Sequence, residues 1–207
     1  MKQITSTVVS IIMSLLVVML LSSCASKPPG QVGLNNWQQQ QQINAISNWS
    51  VKGRIGVKTL DDGFTSNLNW QHHPDKQNFK IYGSLGQTYA ELQQYGDMTK
   101  LVLSDDKIYE STDAETLVRD VLGYSLPIEQ LQYWILGLPY PDGENDLTFD
   151  ELGFLTGIRF QQWHITYKKY KQYDDFGDLY LPSKITVTNE QVSLRLSLRD
   201  WSRKTSL

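Results

Sequence analysis

The sequence has one cysteine, three histidines and seven prolines in 207 residues, and each scarcity excludes something. A lone Cys24 permits no internal disulfide and no cysteine-based zinc site. His72 and His73 are adjacent, and neighbours in an extended chain point to opposite faces, which does not make a metal site. Neither they nor His164 stands beside a nucleophile. The chain has no Gly-x-Ser-x-Gly elbow, no phosphate-cradling glycine loop and no HExxH pair. The acid pairs Asp105-Asp106 and Asp174-Asp175 fall in polar, turn-like stretches. The acidic loop at 142–146 lacks the spaced ligands of a calcium-binding loop. No metal or cofactor is expected, and an enzyme is the weaker reading.

Long apolar runs are also scarce. One extends from Val8 to Leu21, shorter than the roughly 20 residues that cross a bilayer as a helix. Lys2 is the only charge before it, and the run ends in Leu21-Ser22-Ser23-Cys24. That is the pattern of a secretory leader, and its end resembles the lipobox of bacterial lipoproteins. The expectation is a signal peptide over 1–23, lipidation of Cys24, and a Pro/Gly-rich tether over 24–36. Ala25 follows the cysteine; in lipoprotein sorting an Asp there tends to mean inner-membrane retention, so the resemblance implies the outer membrane. Without Lys2 the chain carries 18 basic and 22 acidic residues, a net −4, which argues against nucleic acid as a partner.

The remainder, 37–207, reads as one domain. The glutamine run at 38–42 reads as a helix docked through Trp37, Ile43 and Ile46 or, from its low complexity, as a disordered linker. From Trp49 the apolar period becomes two: Trp49, Val51, Ile55 and Val57 alternate with polar neighbours, as in a half-buried antiparallel strand. Asp61-Asp62-Gly63 is a hairpin turn, and residues 72–75 are read as a loop. About eleven short strands follow in this manner. A helix pair interrupts them. The first helix opens on a capping box at Thr112–Glu115. The second runs from Pro127 to Leu136, with Pro127 in its first turn and Gly137 as a left-handed stop.

A curved sheet wrapped over this apolar helix is the expected arrangement. Its interior candidates are Trp49, Val51, Ile55, Leu68, Trp70, Ile81, Leu131, Trp134, Ile135, Trp163, Leu194 and Leu196. They line an acyl cavity in a lipid-binding half-barrel. They form a solid core in a lipid-tethered structural or assembly module, and composition does not separate the two. The tip Gly83-Ser84-Leu85-Gly86 is the local exception, because hairpin tips are ordinarily polar. An apolar tip on a membrane-tethered domain suits contact with the bilayer. Tyr167-Lys168-Lys169-Tyr170-Lys171 is a basic, aromatic strand end, read as a solvated edge or as a contact for an acidic protein face or anionic lipid headgroups.

The segment Trp134-Ile135-Leu136-Gly137-Leu138-Pro139, with the lipobox at Cys24, resembles the LolB family of outer-membrane lipoprotein receptors, whose motif is WILGLP. The resemblance covers most of the mature chain. It implies a mainly β (α+β) fold, an incomplete antiparallel barrel whose helices cover an apolar cavity. It implies acceptance of triacylated lipoprotein cargo from the periplasmic carrier LolA and delivery into outer-membrane phospholipid, by a monomer, with no cofactor. Ser84-Leu85-Gly86 matches the family's protruding loop, so membrane insertion falls on Leu85. Gly83-Ser84 stands where the family has an Asn-Pro pair, and the hairpin at Gln161-Gln162 looks shorter than usual.

Overall fold

Eleven antiparallel strands form one sheet in the order β6-β5-β4-β3-β2-β1-β11-β10-β9-β8-β7. They are β1 (Trp49–Lys58), β2 (Gly63–His73), β3 (Lys76–Tyr82), β4 (Thr88–Tyr95), β5 (Met98–Leu103), β6 (Ile108–Ser111), β7 (Asp146–Phe149), β8 (Leu155–Phe160), β9 (Trp163–Gln172), β10 (Tyr180–Thr188) and β11 (Ser193–Ser202). The computed structural model describes residues 42–203. The leader, Cys24, the tether and Trp37 lie outside the described residues, and so does most of the glutamine run. What is described of that run's end is a helical turn at 42–44 that buries Ile43.

The first and last strands pair with each other in the middle of the sheet. The two halves of the chain therefore spread outward from the β1–β11 seam, and the edges are β6 and β7. Each edge strand has only four residues, and short edges blunt the tendency to pair with other chains. At the seam a Cβ on Gly53 would stand 2.4 Å from the Ser197 carbonyl oxygen, so only glycine permits this approach. Register shifts interrupt the β1–β11 and β9–β10 ladders. Such irregularities bend strands and increase local twist.

The chain leaves the sheet at one edge, after β6, and returns at the other, as β7. The helix pair occupies the interval: α1 (Ala114–Leu122) and α2 (Ile128–Trp134). The α1 N-cap is Asp113, not Thr112 of the expected capping box. The Asp113 carboxylate accepts from the Thr116 N–H at 2.9 Å and from its hydroxyl at 2.8 Å. Thr116 is the third helical residue, and a carboxylate one position before the helix reaches its otherwise unpaired N–H. Gly123 closes α1 at φ 83°, as a left-handed cap requires.

The second helix is shorter than expected at both ends. Pro127 caps it from outside the first turn, its carbonyl accepting from the Leu131 N–H at 2.8 Å. At the other end Gly137 takes φ 78°. The Leu138 N–H then bonds to the Tyr133 carbonyl at 3.1 Å, and the Gly137 N–H to that of Trp134 at 3.0 Å. These two bonds are the six-to-one and five-to-two closures of a Schellman motif. Residues 72–73 correct the expected loop: they are the last residues of β2, and the turn is confined to Pro74-Asp75.

Candidate functional site

The inward positions of every long strand converge on one apolar interior. Trp49, Val51, Ile55, Leu68, Trp70, Trp163, Leu194 and Leu196 from the sheet are buried there with Leu131, Trp134 and Ile135 from the α2 segment. Ile81 is half-buried and packs against the same cluster. Trp134 is 0 % exposed and Val51 likewise, so no water-sized space adjoins them. These side chains are closed off from solvent in this conformation, and among the described residues α1 and α2, with the turn that buries Ile43, lie against the same cluster.

The cover is held by polar contacts at its margins. Tyr167 of β9 donates a 2.8 Å hydrogen bond to the Trp134 carbonyl. Burial, and the neighbouring Tyr170, raise the Tyr167 phenol well above its usual pKa, so it remains a donor at any working pH. On the other flank His72 stacks on Trp49 with ring centroids 4.9 Å apart. Its Nε2 lies 2.7 Å from the Gln132 side-chain amide of α2, and its Nδ1 3.1 Å from the Ser47 carbonyl. Burial lowers the His72 pKa, the bonds to Gln132 and Ser47 oppose that shift, and His73 adds to it. Both neighbours are oxygens and a neutral ring donates to one of them; the Gln132 contact ties β2 to the helical cover. Among the described residues five buried side-chain atoms have no partner, and two of them are the indole N–H groups of Trp134 and Trp201.

The registers collect five hairpin tips at one end of the sheet: β1–β2, β3–β4, β5–β6, β8–β9 and β10–β11. Leu85 stands on the β3–β4 tip at 95 % exposure. The tip closes through the Gly83 N–H to the Gln87 carbonyl at 2.8 Å and the Gly86 N–H to the Gly83 carbonyl at 3.0 Å. Gly86 has φ 91°, and a Cβ on Gly83 would collide with the Gln87 and Tyr89 side chains. The backbone is therefore defined by its own hydrogen bonds, although no proline stiffens it.

Sequence reasoning missed a second apolar tip at this end. Leu60 of the β1–β2 hairpin is 78 % exposed and Phe64 is 44 % exposed. They border a groove of about 540 Å³ that runs to Leu122 and Tyr124 at the end of α1. The available signal was Leu60 itself, a large apolar residue placed directly before the Asp61-Asp62-Gly63 turn. Sequence reasoning also missed the holding roles of His72 and Tyr167, for which local sequence carries no signal.

Residues 47–201 match the family model described as Outer membrane lipoprotein LolB. The outer-membrane lipoprotein LolB of Marinomonas sp. (strain MWYL1) is 32% identical over 88% of this chain and 92% of its own length. That of Vibrio cholerae serotype O1 is 30% identical, covering 89% of this chain and 91% of its own. Among solved structures, a LolA superfamily protein from Nitrosomonas europaea aligns over 83% of this chain and 94% of its own, with a TM-score of 0.51 at 8% identity. That last likeness is one of fold, and it agrees with an incomplete barrel.

Proposed function

The chain belongs to the outer membrane lipoprotein LolB family, and we propose that it accepts acylated lipoproteins from the periplasmic carrier LolA and inserts them into the outer membrane. Membership makes it an outer-membrane lipoprotein of the Lol pathway and a non-enzymatic protein, which sets the enzyme reading aside. In the proposed mechanism Cys24 is the lipidated anchor, 24–36 the tether and 37–207 a monomeric receptor domain. The observation that carries the reading is an apolar interior covered in part by two short helices, one of them pinned by single hydrogen bonds at either margin.

The physics follows from that seal. Each buried CH₂ of an acyl chain is worth about 0.8 kcal/mol, so cargo with several chains does not cross water unshielded. The closed interior has no room for them, so acceptance requires α1 and α2 to move outward. Acyl chains then replace helix side chains against Trp49, Leu68, Trp163 and Leu194. The closed form offsets part of the binding energy, which keeps cargo from being trapped. The bilayer is the deeper sink, and the Leu85 tip brings the rim to it.

A fluorescent fatty-acid displacement assay tests this reading. Saturable binding, competed by lipoprotein acyl chains and accompanied by faster hydrogen exchange in α2, is the expected result. Absence of saturable binding would establish the solid-core alternative.

A further inference from the structure

One face of the sheet takes no part in the site above. On the convex side of β1, β11, β10 and β9 the outward residues are cationic or small. These four strands hold nine of the chain's 19 lysines and arginines and a single acid, Asp200. Arg54 and Lys184 both lie opposite Ser197, while Arg195 lies opposite Gly56 and Thr186. Lys168 precedes Lys169, which pairs with Lys184. Arg54, Arg195, Lys184 and Lys168 thus succeed one another across four adjacent strands, a span of about 15 Å at the usual strand spacing.

The four border a shallow groove of about 440 Å³ whose other lining includes Gly56, Thr65, Thr186 and Ser197. All four are exposed. Among the described residues none of them forms an ion pair; the one pair in these strands is Arg199 with Asp200. Like charges on neighbouring strand positions repel, and the usual reason for lysines on a strand does not apply. They guard sheet edges, whereas these strands are interior and the edges are β6 and β7. Among the described residues the self-repulsion is uncompensated, and it calls for an anion from outside.

We propose that this face docks on the phosphate-bearing, anionic headgroups of a lipid bilayer. The outward positions between Arg54 and Lys168 offer no apolar or aromatic residue. A protein interface is built around such buried anchors and is depleted of lysine at its core. A headgroup layer asks only for charge, and arginine meets phosphate with a two-pronged hydrogen-bonding geometry. The small residues of the groove let a phosphate approach the sheet between the longer side chains. Leu85 lies on the β3–β4 tip, outside these strands, so headgroup docking and tip insertion are separate contacts.

The test uses the full lipidated chain reconstituted in vesicles. Thr166→Cys, exposed on β9 beside the face, is labelled with a donor fluorophore, and an acceptor is carried on the headgroups. Cys24 is the only native cysteine and its thiol is taken by the anchor, so the label is unique. With phosphatidylglycerol in the vesicles, energy transfer is expected to rise about twofold over phosphatidylcholine alone and to return to that level in high salt. Arg54→Gln, Lys168→Gln, Lys184→Gln and Arg195→Gln together remove the rise while circular dichroism and melting stay unchanged. Leu85→Glu keeps it. Equal transfer in both vesicles, or a rise that survives the four substitutions, overturns the proposal. So does loss of carrier binding in the fourfold variant without any response to vesicle charge, which assigns the face to an acidic protein.

Discussion

The Tyr167 hydroxyl and the Trp134 carbonyl, 33 positions apart, meet in a buried 2.8 Å hydrogen bond. The same carbonyl already accepts from the Gly137 N–H that closes α2. One oxygen therefore joins the helix stop to β9 across the interior. Tyr167→Phe removes one of two donors and leaves the ring's packing intact. We expect a stability loss of about 1 kcal/mol by urea melts, with faster amide exchange in α2 than in β9.

Trp134→Ala is expected to cost roughly 3–5 kcal/mol, because the indole is fully buried and the site is tightly packed. Trp134→Phe is expected to cost less than half of that, since it also removes an unpartnered buried N–H. Denaturant melts of the two variants measure the difference. Equal losses would mean that the indole N–H has a partner in solution.

Leu85→Glu is expected to keep the fold and accept lipoprotein from the carrier, yet fail to deliver it to liposomes. At a bilayer the leucine gains on the order of 1.5–3 kcal/mol by burial, and a carboxylate reverses that sign. Leu85→Phe should retain delivery. Acceptance and delivery must be measured separately; joint loss in Leu85→Glu would make Leu85 a packing residue.

His72 links stability to pH. Its pKa is lowered in the folded protein, chiefly by burial, so the unfolded chain binds the proton more readily. The contribution of the neutral ring is complete above the ordinary histidine value of about 6.5. It falls as pH drops below that value, down to the folded pKa. Urea midpoints of the native protein should therefore fall more steeply on mild acidification than those of His72→Gln. Parallel curves would show that the ring is not held neutral.

Gly53→Ala places a Cβ 2.4 Å from the Ser197 backbone oxygen. Two interior strands must separate to accommodate it, and neither has a flexible end there. A loss of about 1–3 kcal/mol is expected, read as a lowered melting temperature, whereas Gly96→Ala meets no neighbouring atom and carries only the strain of its positive φ.

Local order was legible in the residues themselves. Alternation at Trp49, Val51, Ile55 and Val57 marks β1 because side chains in a strand have period two. Ile128 through Gly137 encodes a helix and its stop, because the Schellman closure needs only a left-handed residue at the right position. The exposure of Leu85 is likewise local, since a short tip of small residues leaves it nothing to pack against.

Tertiary structure decided what depends on register between distant strands. Alternation says which face a residue takes and not which strand lies beside it, so the pairing of β1 with β11 is unwritten in either segment. That pairing aligns Arg54, Arg195, Lys184 and Lys168 on one convex face. The pairing of β9 with both β8 and β10 moves Lys168 from an expected edge to an interior strand. Whether the apolar residues leave space or fill it depends on how closely α2 descends, and Tyr167 and His72 set that distance from strands on opposite sides of the seam. Such contacts are sums over residues far apart in the chain, and no local pattern carries them.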